Sequence, residues 1–140
     1  MITETIIEVL REDSTLQTLL GAASAASCPV FTTHGFQDTA DKQINVSYDM
    51  GETLPVDQDA KTHDGIFRVY VLVKDTTSEP IKTAHTIAAR VLALLDLKGS
   101  TLDDTDTIYW VQKTDSDINH YDNIHFFEIE ISFRFVLTEA

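Results

Sequence analysis

The chain is poor in cysteine, in proline and glycine, and in bases. Among its 140 residues Cys28 is the single cysteine. An intramolecular disulfide is therefore excluded, which fits a reducing compartment. Only 3 prolines and 5 glycines are present, and they are scattered, so no long disordered linker is expected. Lys and Arg number 10 against 23 Asp and Glu, a formal net charge of −13. The bases come singly along the chain, from Arg11 to Arg134. A clustered basic patch that would grip nucleic-acid phosphates or an anionic bilayer is thus missing. The acid excess favours solubility and discourages non-specific association. No apolar run approaches the ~18 residues that a membrane-spanning helix needs. The start, MITETIIEVLRED, has neither the basic opening nor the apolar core of a signal peptide.

What the chain does have is clear periodicity. At this length one domain over residues 1–140 is expected, large enough to bury a core unaided. Ile2, Ile6, Val9 and Leu10 keep helical spacing, with Thr3 or Thr5 as candidate caps. Asp13 or Ser14 opens a second short piece carrying Leu16, Leu19 and Leu20, so one bent helix is predicted over residues 2–20. Val30–His34 and Gln43–Met50 read as strands, the second alternating Ile44, Val46, Tyr48 with Asn45 and Ser47. Residues 51–65 read as a polar connector. In IFRVYVLVK, from Ile66 to Lys74, both faces carry apolar residues, which marks a central strand. Ser78 is predicted to cap a helix with Glu79 and Pro80 in its first turn. Its stripe is Ile81, Ala84, His85, Ala88, Val91, Leu92 and Leu95. Thr107–Lys113 reads as a strand with Ile108, Trp110 and Gln112 on one side, and TDSDINHYDN as another polar connector. The last segment, HFFEIEISFRFVL, alternates most cleanly: Phe127, Ile129, Ile131, Phe133, Phe135 and Leu137 on one side. The pattern implies an α+β fold, an antiparallel or mixed sheet of four to five strands with two helices packed on one face.

Catalytic chemistry finds no foothold. Cys28 lies in an alanine-rich stretch without a basic neighbour to lower its pKa, and reads as structural. The five histidines show no metal-ligand spacing, and His85 falls in the helix stripe, where a partly buried, hydrogen-bonded role is expected. DQDAKTHDG fails as a calcium loop: counting from Asp57, the sixth position is Thr62 rather than glycine and the twelfth is Arg68 rather than glutamate. Asp103, Asp104 and Asp106 read as a solvated loop. Glu128 and Glu130 share one strand face, ~6–7 Å apart, but nothing beside them suggests a sugar cleft. There is no glycine-rich phosphate loop and no nucleophile elbow. Tyr70, Tyr109, Trp110 and Phe126 lack the interleaved bases of a nucleic-acid stacking platform, and read as core or interface. No cofactor and no metal is expected, and the protein is expected not to be an enzyme.

The second face of the last strand is amphipathic: Phe126 and Val136 bracket Glu128, Glu130, Ser132 and Arg134. A sheet with one face under helices and the other mixed suits association between subunits, with solvent exposure as the alternative. Several segments together resemble the tail completion, or tail terminator, proteins of long-tailed bacteriophages and prophages, including the tail-to-head joining type. They are ITETIIEVLREDSTLQTLLG, CPVFTTH, INVSYDM, DGIFRVYVLVKD with IKTAHTIAARVLALLD after it, and the closing FEIEISFRFVL. The likeness spans nearly the whole chain. It departs at Lys42-Gln43-Ile44, where the family often has a proline and an aromatic. The resemblance implies an architectural role as a ring, commonly a hexamer. Such a ring caps the tail tube and joins it to the head connector, with DNA passing through the lumen unbound. It places the protein in the virion, and in the host cytoplasm during assembly, away from membranes. Arg68, Tyr70, Glu128, Glu130 and Arg134 on the sheet, Asp57 and Asp59 in the first long loop, and His120 and Tyr121 in the second are the candidate contact residues. A net charge of −13 would suit a lumen that repels DNA phosphates. The competing reading is a small ligand-binding or regulatory module, which would need a concave pocket with convergent polar groups.

Overall fold

The computed structural model describes residues 2–32, 36–37, 39–49, 62–102 and 106–138. Helix α1 spans Ile2–Glu12 and α2 spans Ser14–Leu19. The break between them is made by Asp13, whose extended backbone and side-chain acceptor for the Leu16 amide start a new helix. Thr3 and Thr5 lie inside α1 and are not its caps. Strands follow at Val30–Thr32 (β1), Lys42–Asp49 (β2) and Thr62–Lys74 (β3). Helix α3 covers Pro80–Leu95, and strands Thr107–Tyr121 (β4) and Phe126–Thr138 (β5) close the chain. The expected α+β class holds. The sheet is mixed and five-stranded, in the order β1-β2-β3-β5-β4, with β1 parallel to β2 and every other pair antiparallel. The central position of β3 follows from its two apolar faces.

Register explains the core. Ile44 pairs with Val71, Val46 with Val69, and Val69 and Phe67 in turn with Ile131 and Phe133. Every second residue of these strands therefore meets on one face, and the helices cover that face. Phe67, Val69, Val71, Ile131, Phe133 and Phe135 are fully or almost fully buried, and the Phe67 and Phe133 rings stack at 4.9 Å. Helix α1 adds Ile2, Ile6 and Leu10 over β1 and β2. The Arg11 guanidinium of α1 donates to the Val30 carbonyl at 2.9 and 2.6 Å, tying α1 to β1. Arg90 of α3 pairs bidentately with Asp13, at 2.9 and 2.6 Å, so the cap of α2 also anchors α3.

Several further expectations need correction. Ser78 does not cap α3: the N-cap is Glu79, in the left-handed region at φ 47°, and Pro80 opens the helix because its missing amide costs nothing there. The buried stripe of α3 is Ala84, Ile87, Ala88, Val91 and Leu95, while Ile81 and His85 are exposed. Apolar width hides the true centre of the stripe, and the small alanines mark where the helix approaches the sheet. Strand β3 begins at Thr62, taking in His63, Asp64 and Gly65 from the expected connector. The stretch from Thr114 to Tyr121 is strand rather than loop. Its polarity reflects an edge position, exposed from Gln112 to Ile118. Two register shifts, at Ile108/Trp110 and Lys113/Asp115, also reset the alternation of β4. Ile108 and Val111, both buried, thus share the core side, and Trp110 turns away from it.

Candidate functional site

The face of the sheet away from the helices collects most of the candidate contact residues. Even-numbered residues of β3 and β5 and odd-numbered residues of β2 point there, because the side-chain period of a strand is two. Tyr70 lies between Asn45 and Glu130, and Leu72 between Gln43 and Glu128. Arg68 pairs with Glu130 at 3.4 Å. Arg134 forks onto Asp64, with its Nε 2.9 Å from Oδ1, and its guanidinium lies over the Trp110 ring at 5.6 Å. This holds the Asp64 carboxyl below its ordinary pKa and the Arg134 pKa above its own. Both candidate arginines are therefore already engaged by acids of their own chain.

One end of this face is not flat. Phe126 is fully buried, edge-on to Phe36 at 5.4 Å, with Lys74 above its ring at 6.0 Å. Beside them a cavity of about 260 Å³ opens between β2, β3 and the turn that joins β4 to β5. Phe36, Tyr70, Leu72, Tyr121 and Ile124 form its walls, and Asn45 and Glu128 its polar lining. Glu128 is 8 % exposed. Its Oε1 accepts from the Tyr121 hydroxyl at 3.0 Å and the Asn119 amide at 3.4 Å. Burial is the largest influence on Glu128 and raises its pKa; the two hydrogen bonds oppose this and Glu130 adds to it. Burial and the neighbouring carboxylates likewise raise the Tyr121 phenol.

Asn45 is 3 % exposed, and its Oδ1 has no hydrogen-bond partner. Its orientation follows from Gln43. The Gln43 Nε2 donates to the carbonyls of Gln37 and Ala40, and its Oε1 accepts from the Gln37 amide. That leaves Oε1 as the acceptor for Asn45 Nδ2, at 3.4 Å, and directs Asn45 Oδ1 the other way.

The structure thus brings Tyr70, Glu128 and Tyr121 into one pocket, with Arg68 and Glu130 paired beside it. His120 sits on the opposite face: its ring stacks on Phe127 at 4.2 Å and its nitrogens lie 3.2 Å from Asp75 and 3.1 Å from Asp122. The hairpin register puts it there, opposite Phe127. Asp57, Asp59, Asp103 and Asp104 lie outside the described residues. Sequence reasoning misses Asn45, Leu72 and Phe36 as site residues. The alternation of INVSYDM does put Asn45 on the polar side, but only the pairing of Asn45 with Tyr70 reveals what it meets.

Elsewhere, Cys28 is buried and its thiol is pushed up by that burial, so it is poorly set up as a nucleophile. Among the described residues no group of histidine, cysteine and acid side chains is arranged to hold a metal ion. No described helix is long and apolar enough to cross a membrane. A second groove, of about 400 Å³, runs between α3 and β4, floored by Ile129 and Ile131 and edged by His85 and Ile118.

No protein-family model matches the sequence. No curated protein matches it either. Solved structures do match. A chain from the virion of a native gene transfer agent particle superposes with a TM-score of 0.73 at 17 % identity, over 95 % of this chain and 91 % of that one. A second solved chain, known only by a sequence label, gives a TM-score of 0.56 at 15 % identity, over 98 % and 96 %. At these identities the likeness is one of fold, shared end to end.

Proposed function

We propose that this protein is a structural component of a phage-like virion, acting at the end of the tail where tail joins head. The observation that carries this reading is the end-to-end likeness to a chain of a gene transfer agent virion, with a TM-score of 0.73. The resemblance of the sequence to tail completion proteins points the same way. In this reading copies form a ring, a hexamer by the family's habit, that caps the tail tube and meets the head connector. The role is architectural, not enzymatic. Cyclic rings need two different, complementary surfaces on each copy. In this reading the mixed face of the sheet and the outer side of β4 would serve as the two surfaces. The charge of −13 suits a lumen through which DNA slides without being held. The protein would be made in the host cytoplasm and end in the virion.

Deleting the gene from its phage or gene-transfer particle tests this directly. Unjoined heads and tails, or tails of uncontrolled length, are expected; infectious particles of normal form refute it. Light-scattering mass after gel filtration and negative-stain images then give ring number. The ligand-binding module remains as a second reading because the pocket around Glu128 has the apolar walls and convergent polar groups it requires. A metabolite that binds there while gene deletion leaves particles intact would favour it.

A further inference from the structure

The hollow at one end of the open sheet face holds a carboxylate that the chain leaves half used. Glu128 Oε1 accepts from the Tyr121 hydroxyl at 3.0 Å and from the Asn119 amide at 3.4 Å. Among the described residues no group donates to Oε2. That oxygen is nevertheless not sealed in: the described side-chain atom that is both fully enclosed and unpartnered is Asn45 Oδ1. The 8 % of Glu128 that stays exposed therefore takes in Oε2, and the hollow that Glu128 lines is the space this oxygen meets. Asn45 offers nothing there, since its Oδ1 is enclosed and its Nδ2 is bound to Gln43. The rest of the lining is apolar or aromatic, from Phe36, Tyr70, Leu72, Tyr121 and Ile124, with no Lys or Arg among the described residues that form it. The bases of this face are engaged by other acids: Arg68 by Glu130, Arg134 by Asp64 and Lys74 by Asp41.

We propose that this hollow binds an organic ammonium ion, whose nitrogen donates to Glu128 Oε2 while its apolar stem lies against Leu72, Ile124 and the rings. An ammonium is a compact charge, so a single free acceptor oxygen suffices for it, and aromatic walls add their own attraction for a cation. A guanidinium fork seats best on both oxygens of a carboxylate, and here Oε1 already carries two donors. An anion meets the Glu128 charge. A neutral apolar ligand takes water from Oε2 without replacing its hydrogen bond. The volume of about 260 Å³ lies below the ~300–1,000 Å³ of drug-sized pockets, which points to a small group and not a large cofactor. The ammonium has two sources, a free alkylamine or a lysine side chain of a neighbouring polypeptide, and the chemistry at Glu128 is the same for both. The site is complete within one chain and does not depend on a ring.

The test uses the isolated full-length protein, ¹H–¹⁵N NMR and four probes: n-pentylammonium, 1-pentanol, n-pentylguanidinium and N-acetyl-lysine methylamide. Expected with n-pentylammonium are saturable shifts of the Tyr70, Leu72, Tyr121 and Ile124 backbone amides. Pentanol should bind about tenfold more weakly or worse, the scale of a lost charge-assisted hydrogen bond. Pentylguanidinium should bind several-fold more weakly than the ammonium. Lysine methylamide binding as tightly as n-pentylammonium, or more so, assigns the polypeptide source; weaker binding assigns the free amine, and both support an ammonium site. Glu128→Gln should weaken n-pentylammonium about tenfold or more. Asp117→Asn removes a charge from the same face but keeps the acceptor for the Ile118 amide, and should change binding by less than roughly threefold. Tyr70→Leu leaves Glu128 in place and should weaken binding roughly two- to fivefold. The Glu128→Gln variant keeps an acceptor for Tyr121 and Asn119, and its NMR spectrum reports its folding. Equal binding of pentanol and n-pentylammonium, guanidinium binding as tight as ammonium, undiminished binding by Glu128→Gln, an equal loss in Asp117→Asn, or no shift at these residues overturns the proposal. Failure here leaves the virion role standing, and normal particles after gene deletion leave this site standing.

Discussion

Gly99 makes the sharpest test of how the edge strand is held. It begins a 3₁₀ turn, Gly99–Thr101, just after α3, and it is buried. A Cβ built there would lie 2.7 Å from the Trp110 carbonyl carbon and Cα and 2.8 Å from the Val111 nitrogen. All three are backbone atoms, so no side chain can swing aside. Alanine forces the turn and β4 apart, beside the Ile108/Trp110 register shift. The same movement strains the bond from the Leu97 amide to the Val111 carbonyl, 2.9 Å, and that from the Lys113 amide to Asp96, 2.8 Å. Overpacking of this kind costs ~1–3 kcal/mol. At about 4 °C per kcal/mol for a domain of this size, Gly99→Ala should lower Tm by roughly 4–12 °C. Circular dichroism melts and urea titrations measure it, and amide shifts should cluster in residues 96–113. An ordinary open glycine would move the other way, by ~0.4–1 kcal/mol, through the unfolded chain. A Gly99→Ala protein as stable as the parent, or more so, would show that the close approach is not there.

Asp13→Ala should cost about 0.5–2 kcal/mol through the lost cap of α2, whereas Asp13→Asn keeps the cap acceptor and should cost less; equal losses in urea titrations would mean that the cap is not what matters. Because Arg90 and the Leu16 amide hold the Asp13 carboxyl below its ordinary pKa, its contribution is full above the unfolded carboxylate pKa and disappears as pH falls through the folded one. Glu128, raised chiefly by burial, works in the opposite sense: between its unfolded and raised folded pKa the native state holds the extra proton, so stability from this group rises as pH falls. Glu128→Gln should therefore stabilise the free protein at neutral pH and remove that component from the pH profile; a destabilised variant with an unchanged profile refutes it. Phe133→Ala, in a fully buried site stacked on Phe67, should cost about 3–5 kcal/mol, read by urea titration; a loss below about 1 kcal/mol would contradict the core described. Asp115→Ala with Asp117→Ala frees the Ser116 and Ile118 amides and removes two charges, so concentration-dependent self-association is expected in sedimentation velocity; an unchanged monodisperse boundary would deny those carboxylates an edge-blocking role.

The parts of the fold legible in the sequence are those where one physical rule acts alone. Phe127 to Leu137 alternates because β5 is an inner strand with one face under helices, and period two survives along its whole length. Strand β4 obeys the same rule but is interrupted twice by an extra residue, so Ile108 and Val111 share a side that strict alternation forbids. Its second half is an edge exposed on both sides, and without a buried face no apolar signal remains to distinguish strand from loop. The stripe of α3 is readable as helix but not as orientation. Ile81 and Leu92 extend the apolar arc beyond what the sheet covers, and the contact centres on Ala84 and Ala88. The candidate site divides along similar lines. Arg68, Tyr70, Glu128 and Glu130 can be put on one face by parity. Their neighbours Asn45 and Asn119 require the register across three strands, which no local pattern encodes. His120 escapes because its stretch reads as a loop, where alternation assigns no face; the two shifts upstream cancel and return the even-numbered residues to the side of Ile108.

Those irregularities and the pocket have a common physical origin. Among the described residues the sheet has two outer strands, and an unprotected outer strand invites pairing with other copies. The short β1 presents only three residues at one edge. At the other edge the Val111 carbonyl and Lys113 amide are taken by the turn after α3, and the Ser116 and Ile118 amides by the carboxylates just before them. The bulges make this coverage possible, because each added residue re-aims the strand so that its polar groups meet side chains of their own chain. On the open face the same logic holds. Arg68 and Arg134 are paired internally, and Glu128 and Asn45, both buried, lie beside an open aromatic hollow. The polar groups along the edges thus restrict non-specific strand pairing.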